Sequence, residues 1–202
     1  MAPGPGSGMT LWFLARAAGL VAVLAASLTV ALGAAGSSTR RADRRILTQL
    51  VHRSAAVLTL AMVALHAALL VTDHFVAVTL PGALIPFTAG YRSVALGIGT
   101  LSAYTFVVLA ATGALRGRVT ASERGARGWR MVHISAYGAW VLAMAHGVLA
   151  GTDTFRGWAL AIYGAAAVLV VGAGATRATS EIRARRSPLR HARRLAIDEW
   201  TP

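Results

Sequence analysis

Cysteine is absent from all 202 residues. Its absence excludes disulfides, thiolate iron–sulfur clusters and the C-x-x-C-H attachment of a c-type haem. Lysine is absent too: all 20 basic residues are arginine, which reads as GC-rich codon usage rather than function. The long apolar runs hold no Asp, Glu or Lys away from their ends, which argues against proton-coupled transport, since that needs charged groups inside the spans. What remains is 56% apolar residues and a formal net charge of +13. The arginines stand in short blocks between apolar runs, which suits a membrane protein with basic ends and contact with lipid, and does not suit a nucleic-acid binder.

A helix needs roughly 20 apolar residues to cross a bilayer core. Five stretches are long enough or nearly so: Leu11 to about Ala35, about Ile46 to Val71, Val94 to Leu115, Val132 to Ala150, and Trp158 to Ala175. The piece Phe75 to Phe87 is shorter and contains Pro81 and Pro86, so an interfacial or re-entrant loop is expected there. Basic residues mark the cytoplasmic connections. They cluster at Arg40, Arg41, Arg44 and Arg45, again at Arg116, Arg118, Arg124, Arg127 and Arg130, and from Arg177 through Arg194 in the tail. The other two loops hold Arg92 and Arg156 with Asp73 and Asp153. The expected fold is an all-α polytopic membrane bundle of about five transmembrane helices, N-terminus outside and C-terminus inside, in the cell membrane. Residues 1–10 form a short N-terminal tail, 11–176 the transmembrane domain and 177–202 a basic cytoplasmic tail. Ala31 to Gly36 is rich in small residues, as signal-peptidase sites are. Cleavage there would put the Arg40–Arg45 block outside, and no basic region precedes Leu11, so a retained first helix is expected.

Ionisable side chains inside spans are costly and point to function. His52 and His66 lie fourteen positions apart in the second span, and His133 and His146 thirteen apart in the fourth. Both spans run in the same direction, so His52 and His133 fall near the cytoplasmic end and His66 and His146 near the outer end. Fourteen residues span about 20 Å of helix, enough for one haem in each leaflet. The expected ligand pairs are His52 with His133 and His66 with His146, holding two low-spin b-type haems with no open iron position. At about 100° per residue, fourteen positions return to nearly the same face but thirteen land about 140° away. Either the fourth span is locally rewound, Gly138 being one place for it, or the two haems are rotated relative to each other.

Around these pairs, Arg53 and Arg130 are candidates for the propionates of the inner haem, because guanidinium matches carboxylate; both also serve as ordinary positive-inside anchors. Tyr91 and Arg92 are weaker candidates at the outer haem. Trp140, midway between His133 and His146, either sits between the haems or faces lipid. Gly19, Gly97, Gly99 and Gly138 would let a macrocycle approach the backbone. His74 reads as a loop histidine and His191 as part of the basic tail.

The chain resembles the ferric reductase-like transmembrane domain, the superfamily of ferric reductases, NADPH oxidases and the haem-binding membrane subunit of the bacterial methionine sulfoxide reductase system. The residues that carry the resemblance are Trp12, Arg16 and Gly19, the His52/His66 pair, Leu84-Ile85-Pro86-Phe87 and Tyr91 through Gly97. They continue in Trp129 through His133, His146-Gly147 and Gly151-Thr152-Asp153. The resemblance implies electrons passing from a cytoplasmic donor, through an inner and an outer haem, to an extracytoplasmic acceptor. Members often have six spans and a C-terminal flavin and nicotinamide domain. Here residues 177–202 carry no G-x-G-x-x-G, so flavin is expected only on a partner, either a cytoplasmic flavoprotein reductase or, with no flavin at all, quinol as donor. The chain would then be the membrane subunit of an oxidoreductase. The rival readings are a quinone-linked cytochrome b subunit and a haem-free scaffold or transporter.

Overall fold

The computed structural model describes residues 5–36, 42–73 and 78–186; His74, His191, Arg40, Arg41 and the tail from 187 onward lie outside the described residues. Among those described, all regular structure is helical. α1 (Pro5–Gly36), α2 (Ala42–Thr72), α4 (Ser93–Ala114), α6 (Glu123–Ala150) and α7 (Gly157–Arg186) are the long helices, and α3 (Leu80–Leu84) and α5 (Arg116–Val119) are short ones. All five long helices are long and apolar enough to cross a membrane. The chain is therefore a multi-pass membrane protein whose outer faces meet lipid.

The helices outrun their apolar stretches. α6 starts at Glu123, not near Val132, because Ser122 caps it: its hydroxyl accepts from the Gly125 amide at 3.1 Å. α7 continues past Ala175 to Arg186, helped by an Arg177–Glu181 pair at 3.0 Å one turn apart. The boundary expected at residue 176 is thus not a helix end. Apolar runs mark what lies in the bilayer; caps and side-chain pairs decide where a helix stops.

Proline-bearing residues 78–92 fold back alongside α4 and do not form a sixth span. The Thr100 hydroxyl donates to the Ala83 carbonyl at 3.0 Å, and the Tyr104 hydroxyl donates to the Leu84 carbonyl. Tyr104 is eleven residues into α4, about 16 Å along its axis. Non-helical backbone survives at such depth only if its polar groups are satisfied by protein, and these two hydroxyls do that. Phe87, at φ 67°, lies where a Cβ on Gly97 would be. Gly97 therefore admits the re-entrant loop, not a macrocycle.

Close packing joins α1 to α2 and α4 to α6, and more lightly α1 to α6 and α2 to α4. The four helices form a ring in which α2 and α6 oppose each other across the diagonal. α7 packs on the outside of α1. α1 is accordingly the most buried helix, with Ala15 and Ser27 at 0% exposure, and its alanine-rich surface allows close approach on several sides. The core is a single layer at mid-height: Ala26 and Val30 of α1, Phe106 and Leu109 of α4, Ala139 and Trp140 of α6, and Val170 of α7. On α2 only Ala55 and Thr59, between its two histidines, are buried. Above and below that layer the facing residues of α2 and α6 are at most half-buried.

Candidate functional site

Both expected histidine pairs form across the diagonal. The rings of His52 and His133 are 6.3 Å apart, centroid to centroid, and those of His66 and His146 are 6.2 Å apart. Direct stacking would bring them nearer. Two metal–nitrogen bonds of about 2.0 Å in line, plus roughly 1.1 Å from each nitrogen to its ring centre, give about 6.2 Å. The pairs therefore stand at the separation two imidazoles take when they share one metal atom.

Three of the four rings are locked in the tautomer that ligation needs. Nδ1 of His66 lies 2.7 Å from the Ala15 carbonyl, Nδ1 of His52 2.8 Å from that of Thr29, and Nδ1 of His146 2.8 Å from that of Ala95. A carbonyl only accepts, so each Nδ1 donates, and Nε2 keeps its lone pair for a metal. Four residues after each carbonyl stands a glycine whose missing side chain makes room for the ring. A Cβ on Gly19 would lie 3.1 Å from His66, on Gly33 3.4 Å from His52 and on Gly99 2.6 Å from His146. The carbonyl-and-glycine cradle thus recurs three times, twice on α1 and once on α4.

Gly19 and Gly99 were legible as sites of close approach, but the recipient is a histidine ring rather than a macrocycle. Gly33 was missed. The signal for it is an internal register: Gly19 and Gly99, Gly33 and Gly113, and His66 and His146 are each separated by 80 positions. The hairpins α1–α2 and α4–α6 thus share one carbonyl, glycine and histidine arrangement, Ala15–Gly19–His66 and Ala95–Gly99–His146, offset by 80 positions.

His133 departs from that register, standing 81 positions after His52. Its Nδ1 is buried and has no hydrogen-bond partner among the described residues. Instead the ring stacks on Trp129, centroids 4.5 Å apart and planes 19° apart. The Trp129 indole donates to the Thr112 carbonyl at 3.2 Å, and the Arg116 guanidinium lies 4.8 Å from the indole centre. α6 is helical from end to end through Gly138, and a Cβ there would meet nothing. No rewinding occurs at Gly138; the thirteen-residue spacing is absorbed by holding the two histidines in different ways.

Trp140 is not lipid-facing. It is 8% exposed, and its indole donates to the Ser27 hydroxyl at 2.8 Å, which in turn donates to the Val23 carbonyl at 2.7 Å. With Ala139, whose carbonyl accepts from Ser102 at 2.8 Å, it fills the space between the two histidine levels. Arg53 and Arg130 are both exposed, and the cation next to the His52/His133 pair is Arg116, which sequence reasoning did not single out. Arg92, in a left-handed conformation, donates to the carbonyls of Leu149 and Ala150 at 2.8 and 3.1 Å, closing the end of α6. Tyr91 lies beside it, with the Arg92 guanidinium 5.4 Å from its ring.

At the His66 and His146 end of the bundle Arg16 joins α1 to the loop after α6, donating to Asp153 at 2.8 Å and Thr152 at 3.1 Å while lying 4.5 Å over Trp12. Arg16 directly follows the carbonyl that holds His66. The pair is mostly shielded, at 22% and 29% side-chain exposure. Asp153→Asn is expected to cost about 1–3 kcal/mol, between the values for surface and buried pairs. A lowered unfolding midpoint in detergent would register it; an unchanged midpoint would reduce the bridge to decoration.

Among the described residues no group of three or more His, Cys, Asp or Glu side chains comes together around a possible metal ion. Each histidine pair therefore offers a metal at most two ligands from these side chains. No family model matches the chain, and neither a curated protein nor a solved structure matches it.

Proposed function

We propose that this chain is a transmembrane electron carrier that binds two b-type haems, the inner between His52 and His133 and the outer between His66 and His146. The observation that carries the reading is the paired geometry: two imidazole pairs at 6.3 and 6.2 Å across one diagonal, three of the rings held by carbonyls with Nε2 available. In the motifs quoted above the chain resembles the ferric reductase-like transmembrane domain. The alternation of arginine-rich and arginine-poor connections supports an N-terminus outside and a C-terminus inside.

Bound haem supplies a one-electron redox couple. The protein's residues do the rest. The carbonyls of Ala15, Thr29 and Ala95 aim three ligands. The layer of Trp140, Ser27, Ala139 and Phe106 separates the levels and excludes water between them. Arg53, adjoining His52, and Arg130, one turn before His133, are exposed cations available to the inner propionates. His52, His133, His66 and His146 would hold the two haems, and the haems would supply single electrons to an extracytoplasmic acceptor at the level of His66 and His146. The donor is a cytoplasmic flavoprotein reductase or quinol.

The test is a reduced-minus-oxidised visible spectrum of detergent-purified protein with haem quantified per chain. Sharp b-type bands at about two haems per chain are expected, falling to about one in His66→Ala or His146→Ala. A folded but colourless protein would overturn the reading in favour of a haem-free scaffold. Stoichiometric co-purified quinone reduced by the chain would move it to the quinone-linked class.

A further inference from the structure

The four histidines are positioned by two different devices, and the difference falls on one site only. In the outer pair both Nδ1 atoms donate to carbonyls, at 2.7 and 2.8 Å. In the inner pair only His52 does, at 2.8 Å. His133 has a buried Nδ1 with no acceptor among the described residues, and a tryptophan face against its ring.

We propose that the Arg116–Trp129 stack on His133 makes the inner site the higher-potential of the two, so that it takes up an electron before the outer site does. The inference rests on the two-haem reading above and deepens it. An imidazole whose N–H is donated to a carbonyl is a stronger ligand, and a stronger ligand favours the oxidised metal; hydrogen bonding around the ligands is one of the levers by which a protein sets potential. The outer site has two such ligands and the inner site one. The second effect has the same sign. The Arg116 guanidinium lies 4.8 Å from the indole that covers His133, and a nearby cation favours the site state with one more electron. No cation is found in a comparable stack on His66 or His146 among the described residues; Arg16 stacks on Trp12 and is paired with Asp153.

The exception has a cause in the register. Gly113 stands 80 positions after Gly33, with the Leu109 carbonyl four residues before it, so α4 carries the frame of a fourth cradle. A Cβ on Gly113 would meet nothing, and no ring is seated there. The ring that would match is one residue early, at position 132. At 133 it is turned by about 100°, and Trp129, one turn before, reaches the Thr112 carbonyl instead. Trp129 and Arg116 are therefore positioning residues: they act on the site through His133.

The experiment is a redox titration of the haem-loaded, detergent-purified chain followed by visible absorbance, with His66→Ala identifying the inner wave. Two one-electron waves are expected. At the potential that half-reduces the outer site, the inner should be at least tenfold more reduced than oxidised, a separation of about 59 mV or more. Arg116→Gln should lower the inner wave by at least threefold in that ratio and leave the outer wave in place; Arg116→Lys should restore it. Trp129→Phe, which keeps a stacking face but loses the Thr112 bond, provides a second variant should Arg116→Gln misfold, and should shift the inner wave alone. Coincident waves, an inner wave below the outer, or equal movement of both would overturn the proposal while leaving two bound haems intact. Absence of haem from folded protein would instead overturn the reading beneath it.

Discussion

Gly99→Ala is expected to empty the outer haem site and leave the inner one filled, so that purified protein carries about one haem per chain in place of about two. The added methyl would lie 2.6 Å from Nδ1 of His146 and 2.8 Å from its Cγ and Cε1, closer than packed atoms come. The ring cannot simply swing aside, because the Ala95 carbonyl holds it at 2.8 Å and, on the proposed reading, its other nitrogen would be a ligand. Losing the orientation of a ligand costs about 10–100-fold in affinity when only a supporting hydrogen bond is removed, and here the ring itself is displaced. Alanine is otherwise the better helix former by about 1 kcal/mol, so the helix gains while the site is lost, and the two effects can be read separately by melting and by haem content. A graded series follows from the same distances. Gly19→Ala, at 3.1 Å, should weaken the outer site; Gly33→Ala, at 3.4 Å, should be tolerated; Gly113→Ala and Gly138→Ala, which meet nothing, should be silent. Full haem content in Gly99→Ala would mean that the cradle does not set the ring.

Trp140→Ala should have the largest effect on the bundle as a whole, about 3–5 kcal/mol, the usual cost of deleting a buried aromatic from a packed layer. Its indole is 8% exposed in the only cluster of buried apolar residues found among the described ones. That cluster joins α1, α4, α6 and α7, so a cavity there loosens all of them. Trp140→Phe retains most of the apolar contact and loses one donor; Ser27→Ala does the converse and leaves the indole N–H buried without an acceptor, a cost of about 1–3 kcal/mol. Thermal unfolding of the three variants in one detergent should rank Trp140→Ala as the least stable. If Ser27→Ala is as stable as the parent, the Trp140–Ser27 bond has no net value. Since the layer stands between the histidine levels, Trp140→Ala should also reduce haem retention at both sites, unlike Gly99→Ala.

The spans and the histidine pairing were legible because each rests on a strong, one-dimensional signal. Twenty apolar residues mean a crossing, and two helices of the same direction bring residues of equal depth to equal heights. The helix ends were not legible, because Ser122 and the Arg177–Glu181 pair extend helices into segments that apolar counting treats as loops. The ring acceptors were hidden for a different reason. They are backbone carbonyls of Ala15, Thr29 and Ala95, and no residue type advertises a carbonyl. Only the glycine four residues later leaves a trace in sequence, and it becomes readable once the 80-residue register is noticed. Arg116 could not be found from its distance along the chain to His133, because α5 and the turn after it fold it back over Trp129. Trp140 was undecided between bundle and lipid until its partner Ser27, 113 residues earlier, was known.

The division of the bundle into two hairpins sets an order of events during synthesis. α1 and α2 leave the ribosome first, and segments made first fold first. That hairpin already contains the carbonyls and glycines that seat His52 and His66, so half of each ligand pair is oriented before α4 and α6 exist. Nothing in the first hairpin can close a coordination shell alone. The facing rings come together only at the end of assembly, when α6 docks across the diagonal, and a cofactor bound there as proposed would fasten two independently inserted halves. On that reading a cell short of haem would accumulate a chain that is inserted and threaded but held by helix packing alone, chiefly of α7 and the Trp140 layer on α1.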